Sequence, residues 1–358
     1  MNKTLTIVIP TYNMERYLDR CLTSLIVAQE VMEQFEVLVI NDGSKDKSSE
    51  IGHSYEKKYP MTFRVIDKEN GNYGSCVNRG LKEAKGKYIK ILDADDWFET
   101  VNLENFIRLL SSLDVDCVMT DMVQVDEQGI EGTHWKYSLP QNQPSSIKDI
   151  TQLPQGELVW MHCVAYKTKN LKDINYKQTE GISYTDQEWI YLPMATCREI
   201  YYNPSVIYKY LVGRDGQTMN PQTFRKNFWQ EIKGTINMVH IYHNYDKTNI
   251  DSLTYLKKRL LIRSIVCYGT FLDKYRMEVF YEEMKELDDV MRDEAADIYD
   301  AFDNINNILV YTRKGLHNLF FPVSWYLLIW LWRKRDRPQK LKVASLIWTI
   351  KGLIKRKG

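Results

Sequence analysis

The 358 residues, 44% of them hydrophobic and 27% charged, are enough for about two globular domains with buried cores. The net charge of +1 hides an asymmetry, because residues 313–358 hold 12 Lys and Arg residues against one Asp and the rest of the chain is acidic. Six scattered cysteines without a Cys-x-x-Cys pair argue against a disulfide framework and a zinc site, and the first apolar stretch is too short for a signal peptide, so we expect a cytoplasmic protein.

The first 125 residues alternate short apolar strands with amphipathic helices. The predicted strands cover 5–9, 35–40, 63–66, 88–92 and 117–123. Between them, apolar residues spaced three and four apart predict helices, one along Leu18 to Leu25 and another along Phe106, Leu109, Leu110 and Leu113. This alternation indicates βαβ units, and therefore an α/β fold with a mostly parallel, Rossmann-like sheet and helices on both faces.

Polar clusters follow four of the predicted segments, at 10–13, 41–44, 70–74 and 93–96. Ligands of parallel sheets bind beyond the carboxyl ends of the strands, so we expect these clusters to converge on one edge. Asp93 and Asp95, two apart in an extended backbone, would point to the same side and share a hard cation through oxygen ligands. An ordinary Asp-rich surface loop is the alternative.

Three of these clusters resemble the motifs of family 2 glycosyltransferases with the GT-A fold, of the type that builds bacterial cell-surface or capsular polysaccharide. They are Ile9-Pro10-Thr11-Tyr12-Asn13, Val39-Ile40-Asn41-Asp42-Gly43-Ser44 and Leu92-Asp93-Ala94-Asp95-Asp96, in the family's order and at comparable spacing. The resemblance covers residues 1 to about 215. Ala94 departs from the pattern, because close relatives often carry Gly there, but its position between the carboxylates should not abolish metal binding.

The resemblance implies a UDP-sugar donor at this edge of the sheet. Tyr12 would stack on the base, and Asp42 would accept a uracil N–H. The other residues expected to contact the nucleotide are Pro10, Thr11, Asn70 and Arg79.

The resemblance also implies a divalent cation, Mn²⁺ or Mg²⁺. Asp93 would lie near the ribose, and Asp95 would ligate the ion that bridges the diphosphate. Such an ion stabilises the departing nucleoside diphosphate more in the transition state than in the ground state. Arg214 stands where relatives place a flexible loop over the diphosphate, although an ordinary surface arginine is the alternative.

An acceptor hydroxyl must lose a proton as it attacks the sugar, and this requires a base. The segment Tyr184-Thr185-Asp186-Gln187-Glu188-Trp189 resembles the acidic motif of the family, and we predict Asp186 as the catalytic base. Glu188 is the rival, and either carboxylate could simply favour a helix N-terminus. Inversion at the anomeric carbon follows from attack on the opposite face. The absence of a Gln-x-x-Arg-Trp segment favours a non-processive enzyme.

Beyond the α/β domain, assigned to residues 1–215, the sequence predicts a helical domain over 216–312. Apolar residues recur there at nearly helical spacing, at Phe228, Ile232, Ile236 and Val239, and Asp246 and Asn249 mark breaks.

The basic tail, 313–358, combines a Trp-rich apolar run at 316–332 with an amphipathic run at 341–357. This pattern is typical of helices that lie on anionic lipid, and it predicts peripheral attachment to the inner face of the plasma membrane. The alternatives are a true membrane span of 316–332 and a helix pair that packs on the protein body or on a partner subunit in a homo-oligomer.

The sequence therefore predicts an inverting, metal-dependent, non-processive glycosyltransferase. It would move a hexose or N-acetylhexosamine from a UDP-sugar to a hydroxyl of a lipid-linked glycan or cell-surface polymer. A catalytically silent nucleotide- or carbohydrate-binding scaffold is the alternative, as is a sugar nucleotidyltransferase, although the Gly-rich N-terminal loop with Arg of the latter class is missing. Without a Walker motif or a basic patch with interleaved aromatics in the α/β part, neither P-loop chemistry nor a nucleic-acid partner is expected.

Overall fold

The computed structural model describes residues 3–154, 156–214, 217, 221–274 and 280–301. The chain divides into two compact units, Met1–Gln217 and Thr218–Gly358. Within the described ranges no helix combines the length and the apolar character needed to cross a bilayer. The basic tail lies outside these ranges, and the three-part domain assignment stays a prediction.

The first unit is built on one sheet. Its strands are β1 (Lys3–Thr11), β2 (Phe35–Asn41), β3 (Phe63–Asp67), β4 (Gly86–Ile91), β5 (Trp97–Phe98), β6 (Cys117–Asp126), β7 (Glu131–Trp135), β8 (Pro144–Ser145), β9 (Val164–Lys167) and β10 (Ile200–Val212). Their spatial order is β3-β2-β1-β4-β9-β6-β10-β5, with β7 beside β6 and β8 beside β10. All five strands predicted from the sequence are present.

Helices connect these strands. They are α1 (Leu18–Thr23), α2 (Gln29–Met32), α3 (Ser48–Lys58), α4 (Asn72–Glu83), α5 (Thr100–Ser112), α6 (Ile147–Thr151), α7 (Thr168–Asp173), α8 (Asp186–Trp189) and α9 (Leu192–Ala195), with a 3-10 turn at Met161–Cys163. The buried face of α5 consists of Leu103, Phe106, Ile107 and Leu110. It is therefore rotated from the predicted stripe, since Leu109 and Leu113 are only half-buried.

The two halves of the sheet differ in strand direction. Strands β3, β2, β1 and β4 are parallel neighbours, as the βαβ pattern predicts. Every residue of β2 is buried, which is typical of a parallel strand covered on both faces. In the other half β9 runs antiparallel to both β4 and β6, whereas β6 and β10 are parallel. The α/β fold class is thus confirmed, with its parallel character concentrated in the N-terminal half.

Strand β10 contains Pro204, and its pairing with β6 shifts register between Asn203 and Val206 and again between Val206 and Tyr208. Proline cannot donate to a strand ladder, so it is accommodated at such irregularities. Beyond them Tyr208 and Tyr210 continue toward the carboxyl ends of β6 and β10.

The second unit is helical, as predicted. Its described helices are α10 (Pro221–Asn244), α11 (Ile250–Lys274), α12 (Tyr281–Glu294) and α13 (Ala296–Ala301). Phe228, Ile232 and Val239 on α10 are buried. The predicted break is confirmed between α10 and α11, where the Asn249 side chain accepts a hydrogen bond from Ser252 N–H at 3.2 Å and caps α11.

Candidate active site

The carboxyl ends of the parallel strands bring the predicted polar clusters together. Asp42 follows β2, and its N–H donates to the carbonyl of Thr11, which ends β1, at 2.8 Å. Leu92 follows β4, and its N–H donates to Val8 of β1 at 2.9 Å. The chain therefore leaves three adjacent strands at one edge of the sheet, where α/β folds bind their ligands.

Asp42 is 2% exposed and is held by several donors. Its Oδ1 accepts hydrogen bonds from Lys68 Nζ at 2.5 Å and from Gly71 N–H at 3.0 Å. The Asn70 side chain donates to the Asp42 carbonyl at 2.9 Å. Asn70 therefore shapes the loop around Asp42 through the main chain, while its predicted nucleotide contact stays a prediction.

The other predicted nucleotide contacts occupy different environments. Pro10 and Thr11 are buried at the end of β1, whereas the Tyr12 side chain next to them is 46% exposed. Arg79 lies two turns into α4, where its Nε donates to Glu83 at 3.0 Å. None of its described contacts reaches the strand-end clusters, so the geometry gives Arg79 a place on the helix surface.

Asp93 is fixed by groups from three elements. Tyr73 of α4 donates its hydroxyl hydrogen to Asp93 Oδ1 at 2.6 Å. The Asp93 N–H donates to the Tyr208 hydroxyl of β10 at 3.1 Å. His162 Nε2 lies 3.5 Å from Asp93 Oδ2. Asp93 therefore connects the two halves of the sheet.

Asp95 is paired with the predicted loop arginine. Arg214 Nε donates to Asp95 Oδ2, and its guanidinium lies 5.5 Å from the centre of the Tyr17 ring. Burial raises the pKa of the Asp95 carboxyl above its ordinary value, and the charge of Arg214 opposes this shift. The Asp95 carbonyl accepts a hydrogen bond from Arg20 at 2.9 Å.

The structure corrects the argument that placed Asp93 and Asp95 on the same side of an extended backbone. The Asp96 N–H donates to the Asp93 carbonyl at 3.0 Å, so the segment after β4 is a turn. Asp96 accepts hydrogen bonds from the Tyr208 hydroxyl at 2.6 Å and from Leu211 N–H at 2.7 Å. In a turn the side chains three apart, at 93 and 96, come together, whereas Asp95 reaches Arg214 instead.

His162 is the site residue that the sequence analysis missed. It lies in the 3-10 turn before β9, is 8% exposed, and packs against Tyr208 and Tyr210 with ring centroids 4.8 and 5.1 Å away. Lys90 Nζ, fully buried within β4, donates to the His162 carbonyl at 2.6 Å. The sequence feature that could have pointed to this region is Lys90 in the otherwise apolar strand 88–92. A buried ammonium needs hydrogen-bond acceptors close by, and the His162 carbonyl is one of them.

Asp93, Asp96 and His162 form a candidate cation site. One ligand atom from each lies within 4.8 Å of the others. Burial raises the pKa of Asp96 well above its ordinary value, and the charges of Asp95 and Asp93 add to the shift. Carboxylate oxygens together with an imidazole nitrogen can bind divalent cations such as Mn²⁺ or Mg²⁺. A bound cation would also relieve the electrostatic repulsion among these carboxylates. The residues present therefore fit a divalent ion.

Asp186 is the first residue of α8 and is half-buried. The preceding loop is anchored to the start of α4, where Gly181 N–H donates to the Gly71 carbonyl at 2.9 Å. Burial raises the pKa of the Tyr73 hydroxyl well above its ordinary value, and the charges of Asp93 and Asp186 add to this shift. Asp186 therefore lies close enough to act on the residue that binds Asp93.

Glu188, the rival carboxylate, has a different environment. It is 2% exposed, and its Oε2 accepts a hydrogen bond from Thr179 N–H at 2.8 Å. A Cβ at Gly74 of α4 would lie 1.9 Å from the Thr179 carbonyl oxygen, so α4 packs directly on this loop. The geometry places Glu188 in the support of the loop at residue 179.

The first unit is thus an α/β domain with a buried carboxylate after β2, a carboxylate turn after β4 that fits a cation, and a half-buried carboxylate at the start of α8. The family model of Glycosyl transferase family 2 matches residues 6–174. Residues 6–174 thus belong to glycosyltransferase family 2, and the resemblance of the motifs is confirmed.

Two curated relatives and one solved structure extend this result. Over 296 residues the chain is 28% identical to the minor teichoic acid biosynthesis protein GgaB of Bacillus subtilis (strain 168), covering 80% of this chain and 32% of GgaB. Over 216 residues it is 25% identical to the poly(ribitol-phosphate) beta-N-acetylglucosaminyltransferase TarS of Staphylococcus aureus (strain Mu50 / ATCC 700699), covering 60% of this chain and 36% of TarS. The chain thus spans about a third of the length of these curated relatives.

The crystal structure of S. aureus TarS 1-349 in complex with UDP-GlcNAc matches with a TM-score of 0.65 at 20% identity. The match covers 89% of this chain and 87% of that one. The predicted GT-A fold is therefore confirmed.

Proposed function

We propose that this protein is an inverting, metal-dependent, non-processive glycosyltransferase that moves a hexose or N-acetylhexosamine from a UDP-sugar to a hydroxyl of a cell-surface polymer or lipid-linked glycan. The observation that carries the proposal is the convergence of Asp93 and Asp96 with His162 beyond the carboxyl end of β4, with Asp186 near Tyr73, which binds Asp93. A binding scaffold without catalysis has no need for so many buried carboxylates, which are costly to hold together.

The donor nucleotide would lie along the ends of β1 and β2. The exposed ring of Tyr12 is available to stack on the base, above the buried Pro10 and Thr11. Asp42 supplies a carboxylate that accepts a hydrogen bond and cannot donate one while ionised, which suits the N–H of uracil. The TarS complex with UDP-GlcNAc supports the same class of donor and makes UDP-GlcNAc the first candidate to assay.

Asp93, Asp95, Asp96 and His162 would hold the divalent ion, Mn²⁺ or Mg²⁺. When bound, the ion supplies positive charge at the diphosphate, which becomes more negative as the glycosidic bond breaks. Arg214 neutralises Asp95 in the structure. It would also contribute its guanidinium to the diphosphate, since arginine matches phosphate oxygens in geometry and charge.

Asp186 would act as the catalytic base. Its half-buried carboxylate would accept the proton of the acceptor hydroxyl as that oxygen attacks the anomeric carbon from the face opposite the leaving diphosphate. A single displacement of this kind inverts the anomeric configuration. Glu188 is the weaker candidate, because it is 2% exposed and its Oε2 binds the Thr179 amide.

The proposed acceptor class is supported by two relatives, which are named for minor teichoic acid biosynthesis and as a poly(ribitol-phosphate) beta-N-acetylglucosaminyltransferase. We accordingly propose a cell-surface polymer of Gram-positive type as the acceptor and the cytoplasmic face of the membrane as the place of reaction. The 12 basic residues within 313–358 would bind anionic lipid there.

The test is a panel of UDP-Glc, UDP-Gal, UDP-GlcNAc and UDP-GalNAc, each with Mn²⁺ or Mg²⁺ and each with excess chelator, with release of UDP as the readout. We expect release from at least one donor, only with the cation, and an inverted anomeric configuration of the product by NMR. Turnover in chelator would disprove the metal dependence. No turnover of any donor, despite binding of UDP, would favour the silent scaffold.

A further inference from the structure

The lysine after β3 was not among the residues that the sequence analysis selected, yet it makes the densest set of contacts near the proposed base pocket. Lys68 Nζ donates to Asp42 Oδ1, to the Glu69 carbonyl at 2.6 Å and to the Ser75 hydroxyl at 2.9 Å. An ammonium has three hydrogens, so these three acceptors use all of them. The Lys68 side chain is 18% exposed, and this geometry fixes it in place.

The two charged or polar donors on Asp42 bind the same oxygen. Both Lys68 Nζ and Gly71 N–H reach Oδ1, so the carboxylate is held in one rotation and Oδ2 is directed away from them. Gly71 can approach because it lacks a side chain, since a Cβ there would lie 2.7 Å from Ser75 Oγ. Burial and the charge of Asp42 raise the pKa of the adjacent Cys76 thiol to about 12, so Cys76 stays neutral beside the carboxylate.

We infer that Lys68 and the Gly71 N–H position Asp42 so that Oδ2 alone faces the base, which makes Lys68 a positioning residue for selecting uracil over cytosine. Uracil presents an N–H at ring position 3, which Oδ2 accepts. Cytosine presents a bare nitrogen there, which an acceptor oxygen repels. This inference rests on the proposed UDP-sugar donor and adds the group that sets its specificity.

Asp42→Asn should reverse the preference between UDP and CDP. If the two donors lock the Oδ1 position, the amide oxygen must take that position and the amide NH₂ must take the place of Oδ2. The side chain would then present a donor to the base, so the variant should prefer CDP over UDP. If Lys68 is removed as well, in Lys68→Met/Asp42→Asn, only Gly71 holds the amide, which can flip, and the preference should shrink toward one.

The experiment measures the Kd of UDP and of CDP with Mn²⁺ by titration calorimetry. The two ligands share the diphosphate, so their ratio reports on the base alone. For the wild type we expect UDP to bind at least about tenfold more tightly, the scale of one buried group left unpaired. Lys68→Met should lose most of this ratio with little change in the Kd of CDP. Lys82→Met, which replaces an exposed lysine of α4, is the matched control and should keep the wild-type ratio.

If Lys68 had a merely structural role, Lys68→Met would weaken the binding of UDP and of CDP equally and would leave the ratio of their Kd values unchanged. That result would overturn the inference. Preference for UDP in Asp42→Asn would overturn it too, and this isosteric variant serves even if Lys68→Met fails to fold. Binding of neither UDP nor CDP by the wild type would overturn the proposed donor class and this inference together. Binding of UDP with unchanged ratios in the variants would overturn the inference alone.

Discussion

Replacing each of the two carboxylates of α8 by its amide should have different effects: Asp186→Asn should lower the rate of UDP release, and Glu188→Gln should lower the free energy of unfolding. In Asp186→Asn we expect UDP release to fall by about 10²–10⁴-fold, the usual contribution of a general base, which corresponds to roughly 3–5 kcal/mol of activation free energy. Its only described side-chain bond is from Gln187 at 3.2 Å, and the residue is half-buried. The free energy of unfolding should therefore change by no more than about 0.5 kcal/mol.

Glu188→Gln should do the opposite. The amide oxygen can still accept from Thr179 N–H, but the bond loses its charge, and a charged acceptor contributes about 1 kcal/mol more than a neutral one. We expect a loss of stability of about 1 kcal/mol by chemical denaturation and a change in UDP release of less than about tenfold. The measurements are steady-state UDP release, UDP binding by calorimetry and urea unfolding.

The assignment of Asp186 as the base is wrong if Glu188→Gln loses turnover while it still folds and binds UDP, and Asp186→Asn stays active. That pattern would make Glu188 the base. It would also require the Thr179 loop to open in the complex, which hydrogen exchange of the Thr179 amide would reveal.

Four further predictions concern the cation, a surface cluster and the tail. Asp95→Ala should lose cation-dependent UDP release while keeping its fold, and full activity in excess chelator would contradict the cation assignment. His162→Ala should raise the Mn²⁺ concentration for half-maximal activity by at least about tenfold, and an unchanged value would remove His162 from the site. Hydrogen bonds to Asp67 and Glu56 raise the pKa of His53, so the protonated ring stabilises the fold below pH 6.5 and this contribution is lost as the pH rises through the folded pKa. In urea unfolding, His53→Gln should therefore lower the free energy of unfolding more at pH 5.5 than at pH 8.5. Equal losses at the two pH values would contradict this prediction. Deletion of 313–358 should abolish sedimentation with anionic liposomes and spare UDP release, since each basic residue near the membrane surface contributes about 1 kcal/mol to lipid binding. Liposome binding of the full-length protein that does not depend on salt or lipid charge would argue for a membrane span.

The N-terminal half of the sheet was predictable because its signals are local. Runs such as 35–40 are apolar except for Glu36, so they could be assigned to buried parallel strands, and turn residues such as Asp42 mark their ends. Once the strands are parallel, their carboxyl ends must share an edge, and the convergence of the clusters follows. Family motifs added the roles of these residues, which neither composition nor periodicity could supply.

The rest depends on contacts between distant parts of the chain. Strand β9 pairs with β4 across more than 70 residues and with β6 across more than 40. Its four residues carry too little sequence pattern to predict this antiparallel position. The position of His162 follows from that pairing. The arrangement of the carboxylates after β4 was predicted wrongly. Placing side chains two residues apart on one side assumes an extended backbone, whereas the hydrogen bond from Asp96 N–H to the Asp93 carbonyl makes a turn.

The division of the sheet into a parallel half and a mixed half has a consequence for how such chains diversify. The proposed base and ribose contacts Tyr12, Asp42 and Asp93 all precede the exposed loop at Asp114, whereas His162 and Asp186 follow it. Recombination between related genes at that turn would exchange the nucleotide-reading half as a block and leave the half that presents Asp186 unchanged. Donor and acceptor preferences would then be inherited separately. A hybrid protein would need to restore the pairing of β4 with β9 and the contacts of the turn after β4 with His162, Tyr208 and Arg214.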